Sequence, residues 1–108
     1  MRYSVGFAPE AADQLVALRR YLAQVATDDV AASYVERIVS HCEGFAEFPH
    51  RGRLRDDLRP GLRVASYRKR IVIAFAVDDH VKRVSILGVF YGGQDYDSVL
   101  AADDDGET

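Results

Sequence analysis

The chain has 108 residues, 48% hydrophobic and 29% charged, with 8 glycines and 3 prolines. That gives room for one compact domain and excludes collagen-like, mucin-like and wholly disordered sequences. Cys42 is the only cysteine, so an intramolecular disulfide and a CxxC zinc pair are both excluded. No apolar run approaches the about 18 residues of a membrane span, and charges interrupt the N-terminal region where a signal peptide would be apolar. A cytoplasmic location is expected.

The opening RYSVGFA alternates as a strand does, with Tyr3, Val5 and Phe7 on one face. Pro9 suits the first turn of a helix, where its missing N–H costs nothing, and Glu10 and Asp13 favour the N-terminal dipole. Ala11, Leu15, Leu18, Leu22 and Val25 follow at spacings of 4, 3, 4 and 3, which predicts an amphipathic helix. After Thr27, Asp28 or Asp29 is expected to cap a second helix. There Ala31, Val35, Ile38, Cys42 and Phe45 repeat the same spacing, and the short break predicts an antiparallel helix hairpin. Phe48-Pro49 ends it. The charged HRGRLRDDLRPG, with Gly52, Pro60 and Gly61, reads as an exposed connection with turns.

Strands follow. LRVASYR places Leu62 and Val64 opposite Arg63, Ala65 and Tyr67, and the apolar run Ile71 to Val77 reads as a central strand. Asp78-Asp79-His80 predicts a hairpin turn into VKRVSILGVFY. In that strand strict alternation puts Val84, Ile86, Gly88 and Phe90 on one face, and Leu87, Val89 and Tyr91 on the other. Gly92-Gly93 ends it, and DYDSVLAA is expected to make one more helical turn. The order β-α-α-β-β-β defines a two-layer α+β domain over residues 1–100. Its helix hairpin packs on one face of a four-stranded, mostly antiparallel sheet, with the first strand beside and parallel to the last. Leu87 and Val89, on the uncovered face, then need a loop, the C-terminal turn or a partner to pack them. Residues 101–108, with Asp103, Asp104, Asp105 and Glu107, read as a disordered acidic tail.

Charge is segregated along the chain. The net is −3 overall, but residues 51–70 carry 8 basic and 2 acidic side chains, between flanks of −3 and −6. This arginine-rich stretch is the strongest signal for a macromolecular partner, because arginine offers a fixed donor fork for carboxylate or phosphate. Equipment for proton transfer is thinner. His41, His50 and His80 fall on a helix, in a loop and in a turn, and Cys42 occupies a core position of its helix. Tyr91, Tyr96, His50 and His80 are the candidates for acid or base, none of them placed beside a nucleophile. Metal spacing, a phosphate-binding glycine loop and a nucleophile elbow are all lacking, and no cofactor is implied.

The segments FAPEAADQL (7–15), PHRGRLRDDLRPGLR (49–63), RIVIAFAV (70–77) and VFYGGQDY (89–96) together resemble the ParE branch of the RelE/ParE toxin superfamily. The resemblance covers about residues 2–100. It implies a type II toxin–antitoxin toxin that inhibits DNA gyrase and replication through a protein surface, without catalysis, and serves plasmid or chromosomal-locus maintenance. Its partner would be a ParD-like antitoxin, bound in a heterooligomeric complex. Candidate contacts to target or antitoxin are Arg53, Arg55, Arg59, Arg63, Arg70, Tyr91, Gln94 and Tyr96. The sister RelE branch implies an alternative, ribosome-dependent cleavage of messenger RNA, for which Arg53, Arg55, Arg63 and Tyr96 would be the working residues. A homologue that binds antitoxin without being toxic is a third reading. Gly93-Gln94 stands where either branch often places arginine, a departure that bears directly on toxicity.

Overall fold

The computed structural model describes residues 2–92; Gln94, Tyr96, the last expected helical turn and the acidic tail lie outside them. The elements run β1 (Ser4–Phe7), α1 (Pro9–Val25), α2 (Asp28–Glu43), a single 3-10 turn (Gly44–Ala46), β2 (Arg53–Leu54), β3 (Leu62–Tyr67), β4 (Ile71–Asp78) and β5 (Arg83–Tyr91). The sheet order is β1-β5-β4-β3-β2. β1 pairs parallel with β5 and the other neighbours are antiparallel. The four expected strands stand in the expected order. β2 is an addition: two residues inside the arginine-rich connection pair with Arg63 and Val64, too short to leave an alternation in the sequence.

Both helices form where the spacing places them. Pro9 opens α1, and Ala11, Leu15, Leu18 and Leu22 are buried. Val25, the last residue of the helix, breaks from the stripe at 62% exposed. The cap of α2 is Thr27 rather than either aspartate: its hydroxyl accepts the Val30 N–H at 3.2 Å. Asp28 and Asp29 instead occupy the first turn, where their charge suits the helix dipole.

Strict alternation fails in β5 for a local reason. Ala74 pairs with Gly88 but Phe75 pairs with Ile86, so Leu87 is an extra residue, a bulge. One extra residue reverses the facing of everything beyond it. Val84 and Ile86 pack in the helix-side core before the bulge, and Val89 and Tyr91 join the same core after it. Phe90 and Leu87 go to a second cluster on the other face, with Leu58, Leu62, Val64, Val72 and Ala74. Val89 therefore needs no outside partner, and Gly88 and Phe90 do not share a face with Val84 and Ile86. The Val89 N–H beside the bulge is received by the Gln14 amide oxygen of α1 at 2.6 Å, which ties helix to sheet where the ladder is interrupted. Phe45 and Phe75, both fully buried, meet at a centroid distance of 4.7 Å at the centre of the main core.

Candidate protein-interaction surface

The arginines predicted as a single set have separate fates. Arg63 pairs with Phe75 in the β3–β4 register, so it stands on the helix side of the sheet. Its Nε and Nη2 donate to the carbonyls of Arg51 (3.0 Å) and His50 (3.1 Å). Arg63 thus clips the connection after the 3-10 turn to the sheet. Arg51 in turn donates from Nε to the Phe48 carbonyl at 3.2 Å, and its guanidinium lies 4.8 Å from the Phe45 ring centroid. Arg55 forms a two-pronged pair with Asp57, Nε to Oδ1 at 2.9 Å and Nη2 to Oδ2 at 2.8 Å, with only 17% of its side chain exposed. That donor holds the Asp57 carboxyl below the usual range. Arg59 is half-buried in the β2–β3 turn, its N–H donating to the Arg55 carbonyl and its own carbonyl accepting the Leu62 N–H.

Arg53 is the exposed member of the group. It pairs with Val64 and so stands on the face away from the helices. Beyond that pair β3 continues through Ala65, Ser66 and Tyr67 with no strand among the described residues on its outer side. A groove runs along this edge, lined by His41, Phe48, Arg51, Arg53, Ser66 and Val72. Phe48 is 67% exposed there. Gly52, which the groove includes, holds φ +73°, and a Cβ there would lie 2.3 Å from the Val64 carbonyl oxygen. Only glycine lets this connection pass so close to β3.

Aromatic rings gather where β5 ends, in the same row of the sheet as Tyr67 and Ile71. Tyr91 is half-buried, with Tyr21 and Tyr34 at centroid distances of 6.1 and 6.3 Å. Desolvation, then the neighbouring Tyr91, push the Tyr34 phenol above its ordinary value, against the pull of Arg70 and Arg68. A cavity of about 310 Å³ lies between α1 and β5, lined by Gln14, Ala17, Leu18, Tyr21, Val89 and Tyr91. Arg70 is exposed, and its carbonyl accepts the Gly92 N–H at 2.9 Å.

The nucleophile candidates resolve. Cys42 is fully buried, and burial, aided by Glu43, pushes its thiol up to about 12. His41 points elsewhere: its ring lies 4.5 Å from Tyr67 and edge-on to Phe45, and burial followed by the charge of Arg51 lowers its pKa. His50 and Tyr3 both engage Asp79, the Tyr3 hydroxyl donating to its carboxylate and His50 Nε2 standing 3.0 Å from it. This arrangement escaped the sequence reading, since its members are 29 and 76 residues apart. It fastens the start of β1, the loop after α2 and the β4–β5 turn together. No group of three or more His, Cys, Asp or Glu side chains able to hold a metal ion occurs among the described residues. No helix among them is long and apolar enough to cross a membrane.

A helix hairpin packed on a mostly antiparallel sheet whose first strand lies parallel to the last is the topology of the RelE/ParE fold, and solved structures with that fold superpose on it. The chromosomal ParDE system of P. aeruginosa matches at TM-score 0.72 and 21% identity, over 84% of this chain and 97% of that one. A toxin–antitoxin complex, RelBE2 of Mycobacterium tuberculosis, matches at 0.62 and 22%, over 84% and 99%. A free E. coli RelE carrying two arginine-to-alanine substitutions matches at 0.67 and 16%, over 96% and 98%. At these identities the likeness establishes the fold. The family is established by sequence: residues 5–96 match the profile of the ParE toxin of the type II toxin–antitoxin system parDE, and the chain belongs to that family. No curated protein matches the chain significantly.

Proposed function

We propose that this chain is a toxin that inhibits DNA gyrase, and with it replication, through contacts of its protein surface and without covalent chemistry. The ParE family match across residues 5–96 is the observation that carries this reading. Arg53 is its first contact residue, being exposed on the helix-free face and outside the internal pairs that occupy Arg55 and Arg63. Phe48 supplies apolar area beside it. Arg59, Arg70, Tyr91, Gln94 and Tyr96 complete the proposed contact set, with Arg55 and Arg63 acting on it through the backbone they hold.

Neutralisation follows from the same edge. A ParD-like antitoxin segment adds along β3 at residues 65–67, where main-chain groups are open to pairing, and its carboxylates meet Arg51 and Arg53. Masking of the shared surface is then the mechanism of control, and the complex is heterooligomeric. A gyrase target places the toxin in the cytoplasm, and the pair serves to maintain the locus that encodes it. Hydrogen exchange tests the antitoxin half: added protection within residues 65–67 is expected on adding the product of the neighbouring small gene, and unchanged exchange there contradicts it. A supercoiling assay with purified gyrase tests the toxin half, and ribosome-dependent cleavage of a defined message in its place would favour the RelE-type alternative.

A further inference from the structure

The β3–β4 connection is built against its own conformational preference. Tyr67 pairs with Ile71, leaving Arg68, Lys69 and Arg70 as the loop. Arg68 has φ +53° and Lys69 φ +65°. Two successive left-handed residues are what a tight hairpin obtains from Asn-Gly, because a Cβ is disfavoured there. This chain places two long cations at the strained positions and a third immediately after. Strain retained in this way points to a task for the side chains.

All three are exposed, and none forms an ion pair among the described residues. Arg68 is oriented by its neighbour: Nε donates to the Tyr67 hydroxyl at 3.1 Å, and the guanidinium lies 5.5 Å from that ring's centroid. Arg37 of α2, also exposed, lines the same cleft as Arg68, with Tyr34 and Tyr67. Glu36 borders the cleft without pairing to any of these cations. The surroundings decide between anionic partners. None of the exposed large apolar side chains belongs to the hairpin loop or to residues 33–41 of α2. A protein partner would need an apolar centre there, whereas a phosphate backbone needs only directed cations.

We propose that Arg68, Lys69 and Arg70, with Arg37, contact the phosphate backbone of duplex DNA. The choice of DNA among polyphosphates rests on the gyrase reading, since duplex DNA is what that enzyme holds. Arg68 and Lys69 thereby acquire a role separate from the Arg53 surface.

The test is fluorescence anisotropy of the full chain on a labelled DNA duplex, without gyrase, over a series of salt concentrations. Four phosphate contacts give a slope of log K against log salt of about −3 to −4, at roughly 0.9 per contact. The double variant Arg68→Asn, Lys69→Gly places at the two left-handed positions the residue types that tolerate them best. It is expected to melt at or above the wild-type temperature while the slope falls by about 2 and binding at low salt weakens at least roughly tenfold. Arg37→Gln is expected to lower the slope by about 1. Wild type failing to bind the duplex, or a double variant binding as wild type does, overturns the proposal. So does equal displacement by polyglutamate at matched charge, which would assign the surface to an acidic protein, or equal binding of duplex RNA. Gyrase inhibition measured alongside keeps the two readings separable: inhibition without DNA binding removes this contact only, and DNA binding that depends on these cations without inhibition removes the gyrase reading and leaves the contact standing.

Discussion

Arg63 is expected to act on stability rather than on a partner, and the size of the effect follows from its two bonds. Its guanidinium donates to the His50 and Arg51 carbonyls at 3.1 and 3.0 Å. A hydrogen bond from a charged donor is worth about 1.5–3 kcal/mol, and carbonyls near the surface are rehydrated in part when the donor is removed. Arg63→Ala should therefore cost about 2–4 kcal/mol, a large share of the roughly 5–15 kcal/mol that holds a domain together. Urea unfolding reads this directly. With a slope of about 1–3 kcal/mol per molar for a small protein, the midpoint should fall by roughly 0.7–4 M while the slope stays constant. Arg53→Ala, made in parallel, should stay within about 0.5 kcal/mol of wild type. Equal stability of the Arg63 variant and wild type, or equal damage from both substitutions, would refute the division of the arginines into a structural clip and an exposed contact.

Gly52→Ala should destabilise by at least about 2 kcal/mol and detach β2, since it combines a left-handed residue with a backbone clash; normal protection of the Arg55 amide, which donates to Leu62, would contradict this. Cys42, buried with its thiol pushed up to about 12, should resist alkylation at mildly alkaline pH in the folded chain and react readily in urea. Rapid labelling of native protein would refute the packing. The Asp79 carboxyl is held below its ordinary range, first by the Tyr3 hydroxyl. Its contribution is complete above the unfolded carboxylate's pKa and is lost as pH falls through the lower folded value. The stability gap between wild type and Asp79→Asn should accordingly close as pH drops below about 4, and a gap that widens would contradict the bond.

What the sequence made legible is what periodicity carries. The stripes from Ala11 to Leu22 and from Ala31 to Phe45 are core in the structure because a four-turn helix repeats its signal many times. β2 escaped because two residues cannot show alternation. The bulge escaped because a single extra residue, Leu87, looks like any other position until its partner strand supplies the register. Thr27 and the two aspartates after it are all competent caps, and only backbone geometry chooses among them. The arginine-rich stretch was visible as charge, since 8 basic residues in twenty is a compositional signal. Its partition was not. Whether an arginine clips a loop, as Arg63 does, or faces solvent, as Arg53 does, depends on sheet register and on carbonyls more than ten residues away. Likewise the strain at Arg68 and Lys69 is a backbone property that composition does not reveal.

The central claim is that this ParE-family chain acts on gyrase through the surface bearing Arg53. The most direct measurement is supercoiling of relaxed plasmid by purified gyrase, with cleaved DNA scored in the same reaction. Full-length chain should block supercoiling and accumulate cleaved DNA, and Arg53→Glu should raise the concentration required at least roughly tenfold, equivalent to about 1.4 kcal/mol of lost contact. Undisturbed supercoiling by the folded wild-type chain, or an Arg53→Glu variant as potent as wild type, would contradict the account.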